Sequence, residues 1–194
     1  MAGKPKAKRS KVRERIIREA TDLAMVQGFE ALTIGHLCEV SAMPPSQVRY
    51  HFSNTGHLLF HLADQAWLEL LNSLEMPPDT PPEDGLYFVA RVYATGRAAG
   101  LGRHLSHVPV NLLQPRQRSV LRYKHRLVLQ TFQEAVRACR PALPSDGIMV
   151  LSLSLMALLD GYAAWSREPG AMDPAAYADL AHRMVLVDQP RNAT

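Results

Sequence analysis

Apolar side chains recur at spacings of three and four along most of this chain, the period of helices that turn one face inward. The first run, Val12, Ile16, Ile17, Ala20, Leu23 and Ala24, predicts an amphipathic helix that Ser10 is able to cap. Gly28 ends it, because glycine best accepts the left-handed conformation that closes a helix, and Phe29 beyond it folds back on the last turn. A short second helix starts at Thr33, whose hydroxyl suits a cap, buries Ile34, Leu37, Cys38 and Val40, and ends near Ser41. Pro45 opens a third, since the first helical position needs no N–H, and it runs to Phe52 with Val48 and Phe52 facing inward. A long fourth helix follows from about Thr55 to Leu74, with Leu58, Leu59, Leu62, Ala66, Leu70 and Leu74 on its inner face.

Pro77, Pro78, Asp79, Thr80, Pro81 and Pro82 break the pattern and form a loop. Helical segments resume at about Glu83 to Ala99, Arg103 to Leu113, Arg116 to Arg140, Ser145 to Trp165, and Pro174 to Leu186 after a cap at Asp173. No segment alternates apolar and polar residues long enough for a strand, so the expected fold is all-α. The segment from Ser145 to Trp165 is apolar nearly all round, more than one small domain can cover, which predicts a partner surface and a homodimer.

Charge divides the chain. Residues 1–54 carry nine Lys/Arg against five Asp/Glu, while the other 140 residues balance at thirteen against thirteen. Eight basic residues and one acid, Glu14, fall in the first 18 positions. Residues 1–9, with Lys4, Lys6, Lys8 and Arg9 and almost nothing apolar, read as a flexible basic arm suited to a polyanion. Cys38 and Cys139 lie far apart without metal-ligand spacing, which fits a reducing cytoplasm and indicates neither a disulfide framework nor a zinc site. The longest stretch without a charged residue or histidine, Gly147 to Leu159, falls short of the roughly 20 residues a membrane span needs, so neither secretion nor a membrane is expected.

Two short helices joined by a tight turn, the second ending in aromatic residues and followed by a long helix, make a helix-turn-helix arrangement. Within it, Gly28 and Phe29, Thr33, the Tyr50, His51, Phe52 cluster, and the Leu58, Leu59 pair are similar to the signature of the TetR family of bacterial transcription regulators. The resemblance covers about 50 residues in detail and the rest only in layout. Three positions depart from it: Ala42 where the family has a turn glycine, Pro44 in place of a polar cap, and Thr55 in place of a lysine that often meets a phosphate. A left-handed Ala42 would carry about 1 kcal/mol of strain.

That resemblance implies three parts: the arm (1–9), a helix-turn-helix DNA-binding domain (10–54) and a helical effector-binding and dimerisation domain (55–194). It implies a homodimer that binds a palindromic operator in double-stranded DNA, most often as a repressor, and is released by a small-molecule effector. Pro45, Ser46, Gln47, Arg49, Tyr50 and His51 become the outer face of the recognition helix, with Thr33 and the arm residues Lys8 and Arg9 completing the DNA-contacting set. Gln47 suits adenine edges and Arg49 guanine, whereas Tyr50 and His51 suit phosphate oxygens. The last two long helices would form the dimer interface.

For the effector, the C-terminal segments offer Trp67, Phe88, Tyr93, Tyr123, Met156 and Trp165, with Arg91 and Asp160 as polar groups, which predicts a mainly apolar ligand. His57, His61 and Asp64 have the spacing of metal ligands but read better as the polar side of a helix, so no metal or cofactor is expected. Arg103, His104 and His107 read as a solvated cluster, with a pocket lining as the alternative, and Arg116, Arg118, Arg122, Lys124 and Arg126 as a solvated basic face, with an anionic ligand as the alternative. Gly96, Gly100 and Gly102 mark a helix end rather than a dinucleotide loop. No nucleophile or acid–base arrangement is recognisable, which argues against an enzyme. The alternative is a helical DNA-binding architectural or adaptor protein without an effector pocket.

Overall fold

The helical periodicity is realised along the chain. The computed structural model describes residues 4–166 and 168–186, and among them there are helices and no strand. Helices α1 (Lys4–Gln27), α2 (Ile34–Ser41), α3 (Pro45–His51) and α4 (Thr55–Ser73) come first, followed by α5 (Pro82–Ala98). Two 3-10 helices, Gly100–His107 and Val110–Leu112, lead into α6 (Pro115–Cys139), α7 (Ser145–Trp165) and α8 (Pro174–Leu186).

Two expected elements change. Helix α1 starts at Lys4 rather than at Ser10, so the backbone of residues 4–9 is helical and not a separate arm. Lys, Ala and Arg at positions 6–9 are strong helix formers, and Pro5 sits in the first turn where it is tolerated. Ser10 consequently caps nothing; its hydroxyl donates to the Glu14 carboxylate one turn on. The helix expected over Arg103 to Leu113 is a pair of 3-10 turns instead, interrupted at Pro109, whose φ of −71° and ψ of 83° leave the helical region.

The described parts of residues 1–66 and 104–121 form one compact unit, and those of 67–103 and 122–194 a second. This division differs from one drawn at residue 54 because the segment after α5 returns to the N-terminal helices. Gly56, in the first turn of α4, makes the return possible: a Cβ there would lie 2.1 Å from the Leu112 carbonyl oxygen. His104 seats at the end of α1, its Nε2 donating to the Met25 carbonyl at 3.3 Å and its ring edge-on to Phe29 at 6.5 Å. His104 is therefore buried rather than solvated, while His107 stays exposed. The core of this unit holds Ile16, Ala20, Ala24, Phe29, Leu37, Val48, Leu58, Leu59 and Leu62, each fully or almost fully buried.

In the second unit α5, α7 and α8 pack on one another. Leu86, Val89, Ala90 and Tyr93 of α5, Phe132 of α6 and Leu155 and Leu159 of α7 are fully buried. Asp173 caps α8 as expected, its Oδ1 accepting from the Ala175 N–H at 2.9 Å. Gly102 lets the 3-10 turn lie on α5, since a Cβ there would meet the Gly96 carbonyl oxygen at 1.9 Å. By length and composition α7 is apolar enough to cross a membrane over Ser145–Tyr162, more than the uncharged stretch predicts because Asp146 and Asp160 fall inside that window. In this fold the helix packs against α5 and α8, and Asp160 is ion-paired.

Candidate nucleic-acid interface and ligand site

The helix-turn-helix is fixed by local chemistry. Thr33 is extended (φ −123°, ψ 157°) and its Oγ1 accepts from the His36 N–H at 3.0 Å, so it caps α2 as predicted and keeps its hydroxyl proton for an outside acceptor. Ala42 closes α2 in the left-handed conformation at φ 52° and ψ 30°, the strained geometry expected of an alanine at a glycine position. Met43, 4% exposed, then plugs the turn. Pro44 caps α3 without a side-chain hydrogen bond, and Pro45 fills its first position.

The two turns of α3 sort its residues by face. Val48 and Phe52 are buried; Pro45, Ser46, Gln47, Arg49 and Tyr50 are exposed; His51 is half-buried with its ring edge-on to Tyr50 at 5.1 Å. The expected outer face is therefore exposed, apart from the half-buried His51. Phe52 is the hub that holds it in place: the Arg13 guanidinium lies 5.5 Å from its ring centroid, with the His57 and His61 rings at 5.5 and 5.7 Å. Arg13 also donates to His61 Nε2 at 3.4 Å, which requires that nitrogen to be bare. Burial, and after it the positive charge of Arg13, lower the His61 pKa, so the ring favours the neutral form. His57 and His61 thus pack on an aromatic ring.

Some predicted residues stand elsewhere. Val40, expected inside, is 61% exposed, because α2 is only eight residues long and its inner face is filled by Ile34, Leu37, Cys38 and Ser41. Thr55 turns inward, its Oγ1 accepting from the Ile34 N–H at 3.3 Å. The cap of α4 is Asn54, whose Oδ1 accepts from the His57 N–H at 2.8 Å. The side chains of Lys8 and Arg9 lie outside the described residues.

The predicted ligand set is only partly brought together. Tyr93 and Asp160 meet, the phenol donating to Asp160 Oδ1 at 2.8 Å. Arg97, and not the expected Arg91, donates from Nε to the same oxygen at 2.8 Å and from its Nη1 to the Gly102 carbonyl. It lies one helical turn beyond Tyr93 on the same face and is 2% exposed, whereas Arg91 faces outward. Burial first, and the Asp160 carboxylate next, push the Tyr93 phenol well above its ordinary range, so it remains a donor. The Asp160 side chain stays 35% exposed.

The other members scatter. Trp67 is buried edge-on to His125 at 5.6 Å, and Met156 is buried. Phe88 is half-buried, Tyr123 lies exposed near Arg126, and Trp165, 43% exposed, packs on Tyr162 and Tyr177. A cavity of about 330 Å³ at the α6–α7 connection is lined by Cys139, Arg140, Pro141, Ala142 and Leu143 and contains none of the predicted ligand residues.

The fold and this surface define an all-α helix-turn-helix protein whose third helix exposes polar side chains, with a second helical unit. No protein-family model matches the chain, and no curated protein does. Solved structures do. A tetR-family bacterial regulatory protein from Rhodococcus RHA1 is 23% identical, covering 90% of this chain and 97% of its own with a TM-score of 0.77. AibR, solved in complex with isovaleryl coenzyme A and operator DNA, is 14% identical with a TM-score of 0.73, over 89% of this chain and 97% of its own. The chain therefore has the fold of TetR-family regulators. A protein described as superantigen pfit, 15% identical, shares it at a TM-score of 0.71 over 89% of this chain and 87% of its own, so function has to be argued from the site.

Proposed function

We propose that this protein is a DNA-binding transcription regulator of the TetR type, a cytoplasmic repressor that acts as a homodimer on a palindromic operator and answers to a small molecule. The observation that carries this reading is the α3 surface. Ser46, Gln47 and Arg49 project from a helix whose opposite side is locked into a core, and no hydrogen bond or ion pair among the described residues engages their side chains. We assign these groups to base edges, and Thr33, Tyr50 and His51 to phosphates.

Dimerisation is supported by apolar side chains that α7 and α8 leave uncovered: Met149, Val150, Leu153 and Leu158, with Leu180 and Met184, are 38 to 63% exposed. Leu155, by contrast, is fully buried in the subunit's own core, so charge at Val150 or Leu153 is the substitution that tests the interface. Asp160, beside Tyr93 and Arg97, is the polar contact we assign to a mainly apolar effector. AibR, which was obtained with an operator and an acyl-coenzyme A together, gives a precedent for both partners on this fold.

The test is binding to a duplex that the protein selects from a random pool, measured at fixed salt against its single-base variants. Arg49→Ala and Gln47→Ala should each relax preference at one position per half-site, by about 1–3 kcal/mol. Tyr50→Phe should weaken all sequences about equally. Failure to select any sequence would sink the proposal.

A further inference from the structure

We infer that the start of α6 is a second DNA-contacting element, in which Arg116 and Arg118 meet the phosphate backbone beside the duplex segment read by α3. The inference rests on the DNA-binding reading above and extends it to a part of the chain more than 60 residues from the helix-turn-helix.

Residues 85–133 contain eight Lys/Arg and not one Asp or Glu. Arg116 and Arg118 lie in this acid-free stretch, Arg116 exposed and Arg118 half-exposed, and no ion pair among the described residues engages either. They do not serve the helix that carries them. The N-terminal turn of a helix disfavours positive charge, and α6 has no acid in its first turn to offset it. Its cap is formed instead by Gln117, whose Oε1 accepts from the Gln114 N–H at 2.8 Å. Two arginines held against this local preference fit an external anion.

Placement selects the anion. Arg116 and Arg118 belong to the same compact unit as α3, and the Leu112 backbone lies against Gly56 in the first turn of α4, just after α3. Arg116 follows Leu112 by four residues, at most about 14 Å of chain. B-DNA carries a charge every ~1.7 Å of its axis, so a duplex engaged by α3 offers several phosphates over such a span.

The test compares the full-length wild-type chain with R116Q/R118Q, R116K/R118K and the control R137Q, whose exposed arginine lies near the other end of α6. Binding to the selected duplex and to mixed-sequence duplex DNA is followed across a salt series, with thermal midpoints confirming that each variant folds. R116Q/R118Q should lower the slope of log K against log salt by about one for each arginine that no longer neutralises a phosphate, and weaken both duplexes by the same factor, while R116K/R118K and R137Q keep the wild-type slope. An unchanged slope in R116Q/R118Q, with the wild type still binding, overturns this inference alone. A wild type that binds neither duplex overturns the regulator reading together with it. Loss of binding to phosphatidylserine vesicles with DNA binding intact would reassign the patch to a membrane surface, and so also overturn it.

Discussion

On α3, Ser46, Gln47 and Arg49 stand outside a helix whose inner residues, Val48 and Phe52, are 0 and 1% exposed. In the second unit the polar groups are arranged the other way: Arg97 and Tyr93 are buried and turn to a shared oxygen of Asp160. The first arrangement costs the fold little and leaves hydrogen-bonding capacity for a partner. The second satisfies the same kind of capacity internally, because an unpaired guanidinium in an apolar core is expensive. Polar side chains of the two regions should therefore respond in opposite ways to substitution, in binding on α3 and in stability around Asp160.

The largest effect should come from breaking the buried cluster. Asp160→Leu leaves the Arg97 guanidinium, 2% exposed, without its carboxylate and should cost about 3–5 kcal/mol of unfolding free energy. Arg97→Met leaves behind a carboxylate that is 35% exposed and reaches water, so its cost should be smaller, about 1–2 kcal/mol. Denaturant midpoints of the two variants check the order. Equal losses would mean that Asp160 is held as tightly as Arg97, and that a ligand has no purchase on it.

This contrast also explains what could be read from the sequence. Caps, turns and helix faces depend on neighbours a few residues away, and Thr33, Gly28, the Pro45 start and the inward pair Val48 and Phe52 were all legible. So were the limits of α7 and α8. The Arg97–Asp160 pair spans 63 residues and carries no periodic signal. Arg91 and Arg97 cannot be told apart without knowing which face of α5 meets α7. Burial of His104 depends on the chain returning to α1, which the sequence marks by Gly56, a glycine that reads as an ordinary helix residue.

The junction at Gly56 is next in size. Alanine there places a Cβ 2.1 Å from a backbone oxygen, a clash that no rotamer relieves, so Gly56→Ala should lower stability by about 1–3 kcal/mol. Gly35, whose Cβ would meet only the Thr33 hydroxyl at 3.8 Å, is the matched control in the same unit. Thermal unfolding of the two variants separates a close approach from a general dislike of alanine. A neutral Gly56→Ala would show that the loop at Leu112 moves freely.

A smaller effect is expected from acid. The His61 pKa is lowered by burial and by Arg13, opposed by Asp64, so the folded state binds its proton less readily than the unfolded chain. Its contribution to stability is therefore present above the ordinary histidine value of 6.5 and is lost as pH falls below it. His61→Gln should flatten the decline of the unfolding midpoint between neutral and mildly acidic pH. An unaltered decline would place its origin in other groups.

The smallest change tests the turn that orients α3. Ala42 sits at φ 52°, where a Cβ crowds the backbone and glycine does not. Replacement by glycine removes about 1 kcal/mol of strain, but it also frees the unfolded chain, which returns part of the gain, so Ala42→Gly should stabilise the protein by no more than about 1 kcal/mol. The two terms leave different traces. Relief of strain acts on the folded turn, so the orientation of α3 and the sequence selected from a random pool should stay the same while the unfolding midpoint rises. Were the midpoint to fall, the left-handed alanine would be held without strain, and the unfolded-state term would dominate. A rise accompanied by weaker operator selection would instead mean that Ala42 stiffens the turn for the benefit of α3. In that case the outward surface, like the cluster around Asp160, would draw on the core beneath it, and the contrast between the two regions would narrow.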